Sequence, residues 1–394
     1  MSDATIYDAT LAVPAEAALR IRFDRHELAG SFGDIGTDLP LLIGMIAAAG
    51  LDAASVFIVF GVLQILTGLL YGLPMPMQPL KAMAVLVISQ GIAGETLRGA
   101  GLAIGTIMLV LSLSGALEWL ARAIPRCVVR GVQVGLGLSL ATLALKQYVP
   151  AQGGAGWGLA AGGFVLMLLL WGSRRVPGGL VLIALGVVYA LVWRVDAAAI
   201  AAGVALRLPQ VHAPGWSDLL TGAVVLALPQ LPLSLSNSLI ATRQTVADLF
   251  PQRPVTIRKL GLTYSLVNLI APCFGGVPVC HGCGGLAGHY AFGARTGGSV
   301  VIYGSLYVVL GLLFGGVAAQ VVEVFPLPIL GVVLLFEGLV LMRLLGDTAG
   351  SQRDLTIALL VAVVAMSVPQ GYVVGLLIGT AMYYLADRLQ VHKG

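Results

Sequence analysis

The sequence predicts an all-α polytopic membrane protein. It would have about 14 transmembrane segments in two inverted seven-helix repeats, with half-helices at segments 3 and 10. Three observations predict it: the charge content, the spacing of apolar runs, and a motif repeated half a chain apart. Of 394 residues, 58% are hydrophobic and 10% are charged. A soluble domain carries roughly 25% charge, and a mean hydropathy of +0.96 points the same way. So few charges cannot clothe a soluble surface, which excludes a soluble single-core enzyme.

The elements follow in order. Residues 1–26 read as an N-terminal cytoplasmic or interfacial segment, without the apolar core of a secretory signal. Apolar segments then fall at 28–50, 54–72, 76–91, 97–119, 125–145, 156–171 and 178–193, forming a first repeat over 27–193. A more polar stretch, 194–216, carries Arg194, Asp196, Arg207 and His212 and reads as an extracytoplasmic linker. The second repeat, 217–388, holds segments at 217–241, 259–274, 279–291, 298–318, 326–342, 353–368 and 371–387. At about 20 residues per crossing, 14 crossings use about 280 residues and leave no room for a sizeable soluble domain.

The basic residues test this layout. With the N-terminus inside, 17 of the 22 lie at inner ends, among them Arg122, Arg174, Arg175, Arg388 and Lys393. Arg98, Lys146, Arg194 and Arg207 lie outside, and Lys81 alone falls within a span. Both termini are therefore expected in the cytoplasm, and the asymmetry fits a bacterial inner membrane. The repeated motif is Gly72-Leu73-Pro74-Met75-Pro76-Met77-Gln78-Pro79 against Gly276-Val277-Pro278-Val279-Cys280-His281-Gly282-Cys283, an offset of 204 (276 minus 72). Because seven is odd, two tandem seven-segment halves must lie in opposite orientation, the plan of many secondary transporters.

Several classes drop out. No G-x-x-x-x-G-K-[ST] motif is present, so the chain has no phosphate-cradling loop of its own. The net charge is +4 and scattered, which does not suit nucleic acid. Cys127, Cys273, Cys280 and Cys283 lack the spacing of a disulfide scaffold. No cofactor is implied.

The chemistry is expected at segments 3 and 10. Pro74, Pro76 and Pro79 remove three backbone donors within six residues, and Gly282, Gly284 and Gly285 loosen the other copy. Irregular backbone at membrane depth survives where it lines a cavity or is buried in protein. Two broken helices facing each other present N-terminal N–H groups, an anion site that needs no full positive charge. Met77, Gln78, Pro79, Cys280, His281, Gly282, Cys283 and Gly284 are the candidate lining. Gln230, Asn237 and Ser238 of the eighth segment supply neutral donors, against the alternative of hydrogen bonds between helices. In the first segment Asp34, Thr37 and Asp38 are candidates for coupling or support. Asp34 either caps a neighbouring helix or carries a proton or cation. Lys81, three residues after Gln78, faces the same side of a helix and either charges the site or pairs with Asp34 or Asp38. Cys280, His281 and Cys283 also invite a metal or redox reading, with only Cys273 near as a fourth ligand.

At these residues the chain resembles the molybdate transporters of plants and fungi, a branch related to the sulfate permease superfamily. The match rests on Gly33-Asp34-Ile35-Gly36-Thr37, Pro74 to Lys81, Gln230-Leu231-Pro232-Leu233 with Asn237-Ser238, and Pro278 to Gly282 with Gly284 to Gly288. Ala247-Asp248-Leu249-Phe250-Pro251 and Phe292-Gly293-Ala294-Arg295 add to it. The resemblance implies the seven-plus-seven fold shared with sulfate permeases and uracil permease. In that fold a core domain of segments 1–4 and 8–11 moves against a gate domain of segments 5–7 and 12–14. It implies secondary active import of molybdate by alternating access, with substrate between the third and tenth half-helices. A proton or cation is the expected coupling partner, because a dianion must otherwise enter against a negative interior potential. Sulfate and tungstate are the rival ions, and a homodimer in the lipid bilayer is compatible with it. The length of the sequence predicts no STAS domain, a departure from many sulfate permeases. It also carries Asn237 where several of them carry a carboxylate, which makes Asp34 the better coupling candidate. The rival of another class is a membrane metal or redox enzyme using Cys280, His281 and Cys283.

Overall fold

The computed structural model describes residues 21–391 apart from 118, 120–122, 171–177, 196, 197 and 199–202. Residues 1–20 of the N-terminal segment, Arg122, Arg174, Arg175 and Lys393 of the inner basic set, and Asp196 of the linker lie outside the described residues.

The chain is almost wholly helical. Among the described residues, six helical runs are long and apolar enough to cross a membrane: Ala53–Tyr71, Gly94–Ser114, Arg126–Leu169, Trp216–Leu249, Gly298–Val324 and Leu327–Thr348. Shorter apolar helices span Ile35–Ala49, Lys81–Gln90, Gly178–Trp193 and Gly371–Ala386.

The first segment is not one helix, as the sequence suggested, but two. Helix α1 (Arg25–Gly30) is capped by Asp24, whose carboxylate accepts from the N–H groups of His26 and Glu27. Helix α2 (Ile35–Ala49) begins only after a break at 31–34. No proline causes the break. Gly33 presses so closely on a later helix that a Cβ there would lie 2.4 Å from the Gly288 carbonyl carbon. Helix α3 (Ala53–Tyr71) ends at Gly72, whose φ of +61° only glycine adopts at no cost. Strand β1 (Met77–Pro79), helix α4 (Lys81–Gln90) and helix α5 (Gly94–Ser114) follow.

Helix α6 (Arg126–Leu143) runs through a π turn at Ala144–Tyr148 and a 3-10 turn at Val149–Gln152 into α7 (Gly153–Leu169). The stretch between the two apolar segments is thus helical, and α7 opens at Gly153, whose φ is +58°. Next come α8 (Gly178–Trp193) and a long run, α9 (Trp216–Leu249), interrupted by π turns at Ala223–Ala227 and Ser234–Ala241. The remainder is α10 (Ile257–Ile270), β2 (Val279–His281), α11 (Cys283–Ala291), α12 (Gly298–Val324), α13 (Leu327–Arg343), α14 (Gln352–Ser367) and α15 (Gly371–Val391).

Small residues set the packing, as they do where lipid offers no hydrophobic drive between helices. Along α3 and α12, a Cβ on Gly61 would meet the Gly304 oxygen at 2.5 Å, and one on Gly68 the Gly297 oxygen at 2.7 Å. Along α6 and α13, Gly137 and Gly338 touch in the same way. Helices α9 and α10 pack on α5, while α14 packs on both α6 and α15.

A buried carboxylate ties α1 to the start of α12. Glu27 is fully buried, and its Oε1 accepts from the N–H groups of Arg295 (3.0 Å) and Thr296 (2.9 Å). Its Oε2 accepts from the Ser299 N–H (3.0 Å) at the first turn of α12. Glu27→Ala leaves three donors unmet. The change is expected to cost about 3–5 kcal/mol, as when one partner of a buried charged pair is removed. A thermal unfolding midpoint in detergent equal to the wild type would refute that role.

Candidate substrate site

The two irregular stretches meet. Strands β1 and β2 pair antiparallel, with Met77 opposite His281, Gln78 opposite Cys280, and Pro79 opposite Val279. Leu80 N–H extends the pairing by donating to the Pro278 carbonyl at 3.0 Å. Each strand feeds at once into a short helix, α4 from Lys81 and α11 from Cys283. The antiparallel register sends those helices apart and brings their N-terminal ends together at the strands. Side chains alternate along a strand, so Gln78 and Cys280 share one face while Met77 and His281 share the other.

Two amides that sequence reasoning missed hold the strands. Gln64 of α3 grips the Met77 peptide unit at both ends: Nε2 donates to the carbonyl (2.6 Å) and Oε1 accepts from the N–H (2.8 Å). Asn268 of α10 does the same to Val279, at 2.7 and 2.9 Å. All these groups are buried, so the Met77 and Val279 peptide units keep their hydrogen bonds at the open strand edges. A signal for them existed: 268 minus 64 is 204, the offset of the repeated motif.

Gln78 is the centre. Its Nε2 donates to both oxygens of Asp34, at 2.8 and 2.7 Å. Its Oε1 is buried and has no hydrogen-bond partner among the described residues. Glycines of the facing half make room: a Cβ on Gly282 would lie 1.6 Å from Gln78 Oε1, and one on Gly285 would lie 2.3 Å from Asp34 Oδ2. Asp34 precedes α2 yet its side chain caps no helix end, which replaces the capping alternative with a contact to Gln78. Asp38, one turn on, accepts from Tyr303 OH of α12 at 3.1 Å. Thr37 stands between them in the first turn of α2, partly buried.

The eighth-segment residues divide. Gln230 Oε1 accepts from the Ala82 N–H of α4 at 2.8 Å, and its Nε2 donates to Ser234 Oγ at 3.1 Å. It therefore caps the α4 half-helix from outside. Asn237 Oδ1 accepts from the Cys283 thiol at 3.1 Å, which puts its amide at the first turn of α11. Ser238 stands beside the Cys280 thiol. A Cβ on Gly284 would meet nothing within 4 Å, so that turn of α11 faces open space.

Two expectations need correction. Gln78 lies on a strand and Lys81 on the helix after it, so the helical spacing argument does not apply. Nor does Lys81 pair with Asp34 or Asp38, since among the described residues it makes no ion pair within 4 Å. The charges that act on it include Glu337 of α13 and Asp34. Glu337 was overlooked, although an acid amid the apolar run Leu327–Arg343 is itself a signal. His281, on the far face from Gln78, is fully buried. Its Nε2 lies 2.8 Å from Thr263 Oγ1, and its ring stands edge-on to Tyr71 at 5.1 Å. Cys280 and His281 thus point apart, and among the described residues no three His, Cys, Asp or Glu side chains converge as metal ligands.

The arrangement offers a carboxylate-held amide, the Asn237 amide, an unpaired ammonium, and the N–H groups of two half-helices. Such a donor set favours an anion over a cation.

Comparison with known proteins agrees. A family model described as the molybdate transporter of the MFS superfamily matches residues 26–140 and 222–341. Molybdate transporter 1 of Arabidopsis thaliana is 33% identical over 358 residues, covering 79% of this chain and 78% of that protein. Molybdate transporter 2 of the same plant is 32% identical over 86% of this chain and 83% of its own length. Among solved structures, the transmembrane domain of the cyanobacterial bicarbonate transporter BicA overlays with a TM-score of 0.67 at 16% identity, covering 92% of this chain and 98% of that one. The last likeness is one of fold. With a family match in both halves and 33% identity to the Arabidopsis protein, the chain belongs to the molybdate transporter family.

Proposed function

We propose that the chain imports molybdate by alternating access, as a secondary transporter driven by protons. One observation carries the reading: two half-helix N-termini meet at paired strands with Gln78 between them. Gln78, Asn237 and the N–H groups from Cys280 to Gly284 would bind the oxyanion, with Lys81 offsetting its charge. Gln230 would hold α4 in place.

The layout we propose has 14 spans in two inverted repeats, 27–193 and 217–388, joined by an extracytoplasmic linker. Helices α2–α5 with α9–α12 would form a core that moves against a gate of α6–α8 with α13–α15. The most extensive helix pairs, α3 with α12, α5 with α10, and α6 with α13 and α14, each fall within one side of that division and support it. We assign both termini to the cytoplasm on the inner excess of basic residues, in a bacterial inner membrane.

Coupling follows from the Asp34–Gln78 contact. A dianion entering a negative interior opposes about 2.3 kcal/mol per charge per 100 mV, so import needs a driver. A proton on Asp34 would leave the carboxylate a poorer acceptor and release the Gln78 amide to the anion.

The test is uptake of labelled molybdate by proteoliposomes, with excess sulfate or tungstate as competitor. Gln78→Ala and Asn237→Ala are each expected to cut uptake about tenfold or more, since a hydrogen bond to a charged ligand contributes roughly 1.5–3 kcal/mol. Purified yield should not change. Undiminished uptake in both variants would remove the site. Stronger competition from sulfate than from unlabelled molybdate would reassign the substrate within the same site.

A further inference from the structure

Two overlapping cavities, of about 250 and 220 Å³, lie where the Gln90 end of α4 meets α6, α14 and α15. We propose that they form a capture vestibule that takes the tetrahedral oxyanion before it reaches the strands. The proposal rests on the transport reading above. Helix α4 joins the two places: Lys81 opens it at the strands and Gln90 closes it at the cavity. Ten residues at 1.5 Å each put them about 14 Å apart. The cavity lies on the side where Glu95 approaches His212 of the linker, the outer side in the proposed layout.

The lining suits an oxyanion. Ser89, Gln90, Ser139, Thr142, Lys146 and Gln147 wall the 220 Å³ cavity, supplying hydroxyl and amide donors around one ammonium. Among the described residues no carboxylate lines either cavity, which argues against a metal cation. Lys146 is exposed and makes no ion pair or hydrogen bond among the described residues.

Three independent features mark the place. Lys146 and Gln147 sit on the π turn Ala144–Tyr148, and such turns concentrate at functional sites. The Ser89 hydroxyl is buried without a hydrogen-bond partner among the described residues, which leaves a donor unused beside the cavity. Gln370, in the wall of the larger cavity, has φ +54° and is the one non-glycine residue with positive φ among those described. Its carbonyl accepts from the N–H groups of Val373 and Val374 at 2.9 and 3.1 Å, so a strained residue fixes this wall at the start of α15. The C-terminal end of α4 carries partial negative charge, which keeps the hold on an anion weak enough for release inward.

The experiment measures initial rates of molybdate uptake at graded concentration and ionic strength, in phosphatidylcholine vesicles, for wild type, K146R, K146Q and K146E. KM is expected to rise about threefold in K146Q and about tenfold in K146E, with the maximal rate unchanged and K146R like wild type. The salt dependence of KM should shrink in K146Q. A purely structural lysine would instead lower the maximal rate in both variants and leave the salt dependence alone, which would overturn the proposal. So would an effect of K146E seen only when phosphatidylglycerol is added, because the cavity would then hold lipid phosphate. Wild-type uptake with all variants indistinguishable removes the vestibule alone. A wild type that takes up no molybdate, sulfate or tungstate removes the transport reading and the vestibule together.

Discussion

Asp34→Asn is expected to abolish the response of molybdate uptake to an inward proton gradient, and to slow gradient-driven uptake about tenfold or more. The carboxylate accepts two hydrogen bonds from one Gln78 nitrogen in a buried setting. Asparagine offers a single acceptor oxygen, and its own NH₂ would confront that of Gln78. Hydrogen bonds to charged groups contribute roughly 1.5–3 kcal/mol, or about tenfold and upward in an equilibrium. The variant also has no group at position 34 that can exchange a proton. Exchange of internal for external molybdate needs no net proton movement and should survive at reduced rate. Proteoliposomes with an imposed pH difference check both halves of the result. A variant that still accelerates with the gradient would move the coupling role elsewhere, with Glu337 the first residue to examine.

Gly282→Ala is expected to weaken molybdate binding about ten- to hundredfold while leaving the fold intact. The added Cβ would stand 1.6 Å from Gln78 Oε1, far inside any contact distance. The backbone at Gly282 is extended, with φ −107° and ψ 124°, which alanine adopts freely. The effect is therefore steric and falls on Gln78, which must leave its place between Asp34 and α11. Overpacking of this kind costs about 1–3 kcal/mol, and each 1.4 kcal/mol is about tenfold in affinity. Gly158→Ala on α7, where an added Cβ meets nothing within 4 Å, serves as control. Calorimetric titration with molybdate measures both variants. Equal affinity in the two would show that Gln78 is not needed where the structure holds it.

The sequence is most legible where chemistry forbids ordinary helix. Pro74, Pro76 and Pro79 cannot donate, so a break at the third segment can be read from composition alone. The matching glycines at 282, 284 and 285 do the same for the tenth. The pairing of these stretches is not legible, because three-residue strands have no alternation to detect. The break at 31–34 is hidden for another reason: it depends on contact between Gly33 and a helix 255 residues later (288 minus 33). Gln64 and Asn268 look like any amide in an apolar run until the peptide units that they grip are known. Glu337 was visible as a buried acid, but its relation to Lys81 spans two elements far apart in sequence. His281 could be named as a candidate, but not the face to which it points, because the register of a strand decides that.

The amide grips on Met77 and Val279 bear on how the site tells one ion from another. Each strand is fastened on one side to its partner strand and on the other to α3 or α10. Helix α3 is itself seated on α12 through bare glycine contacts. Parting the strand pairing or the amide grips would strand polar backbone where no water can replace the lost bond. The opening between the two half-helices therefore has a stiff frame, and its width cannot adjust to its occupant. Tetrahedral ions of different radius would be sorted by a fixed aperture, with only side chains such as Gln78 and Asn237 able to yield. Changes in ion preference should thus come from those side chains, and not from the strands that carry them.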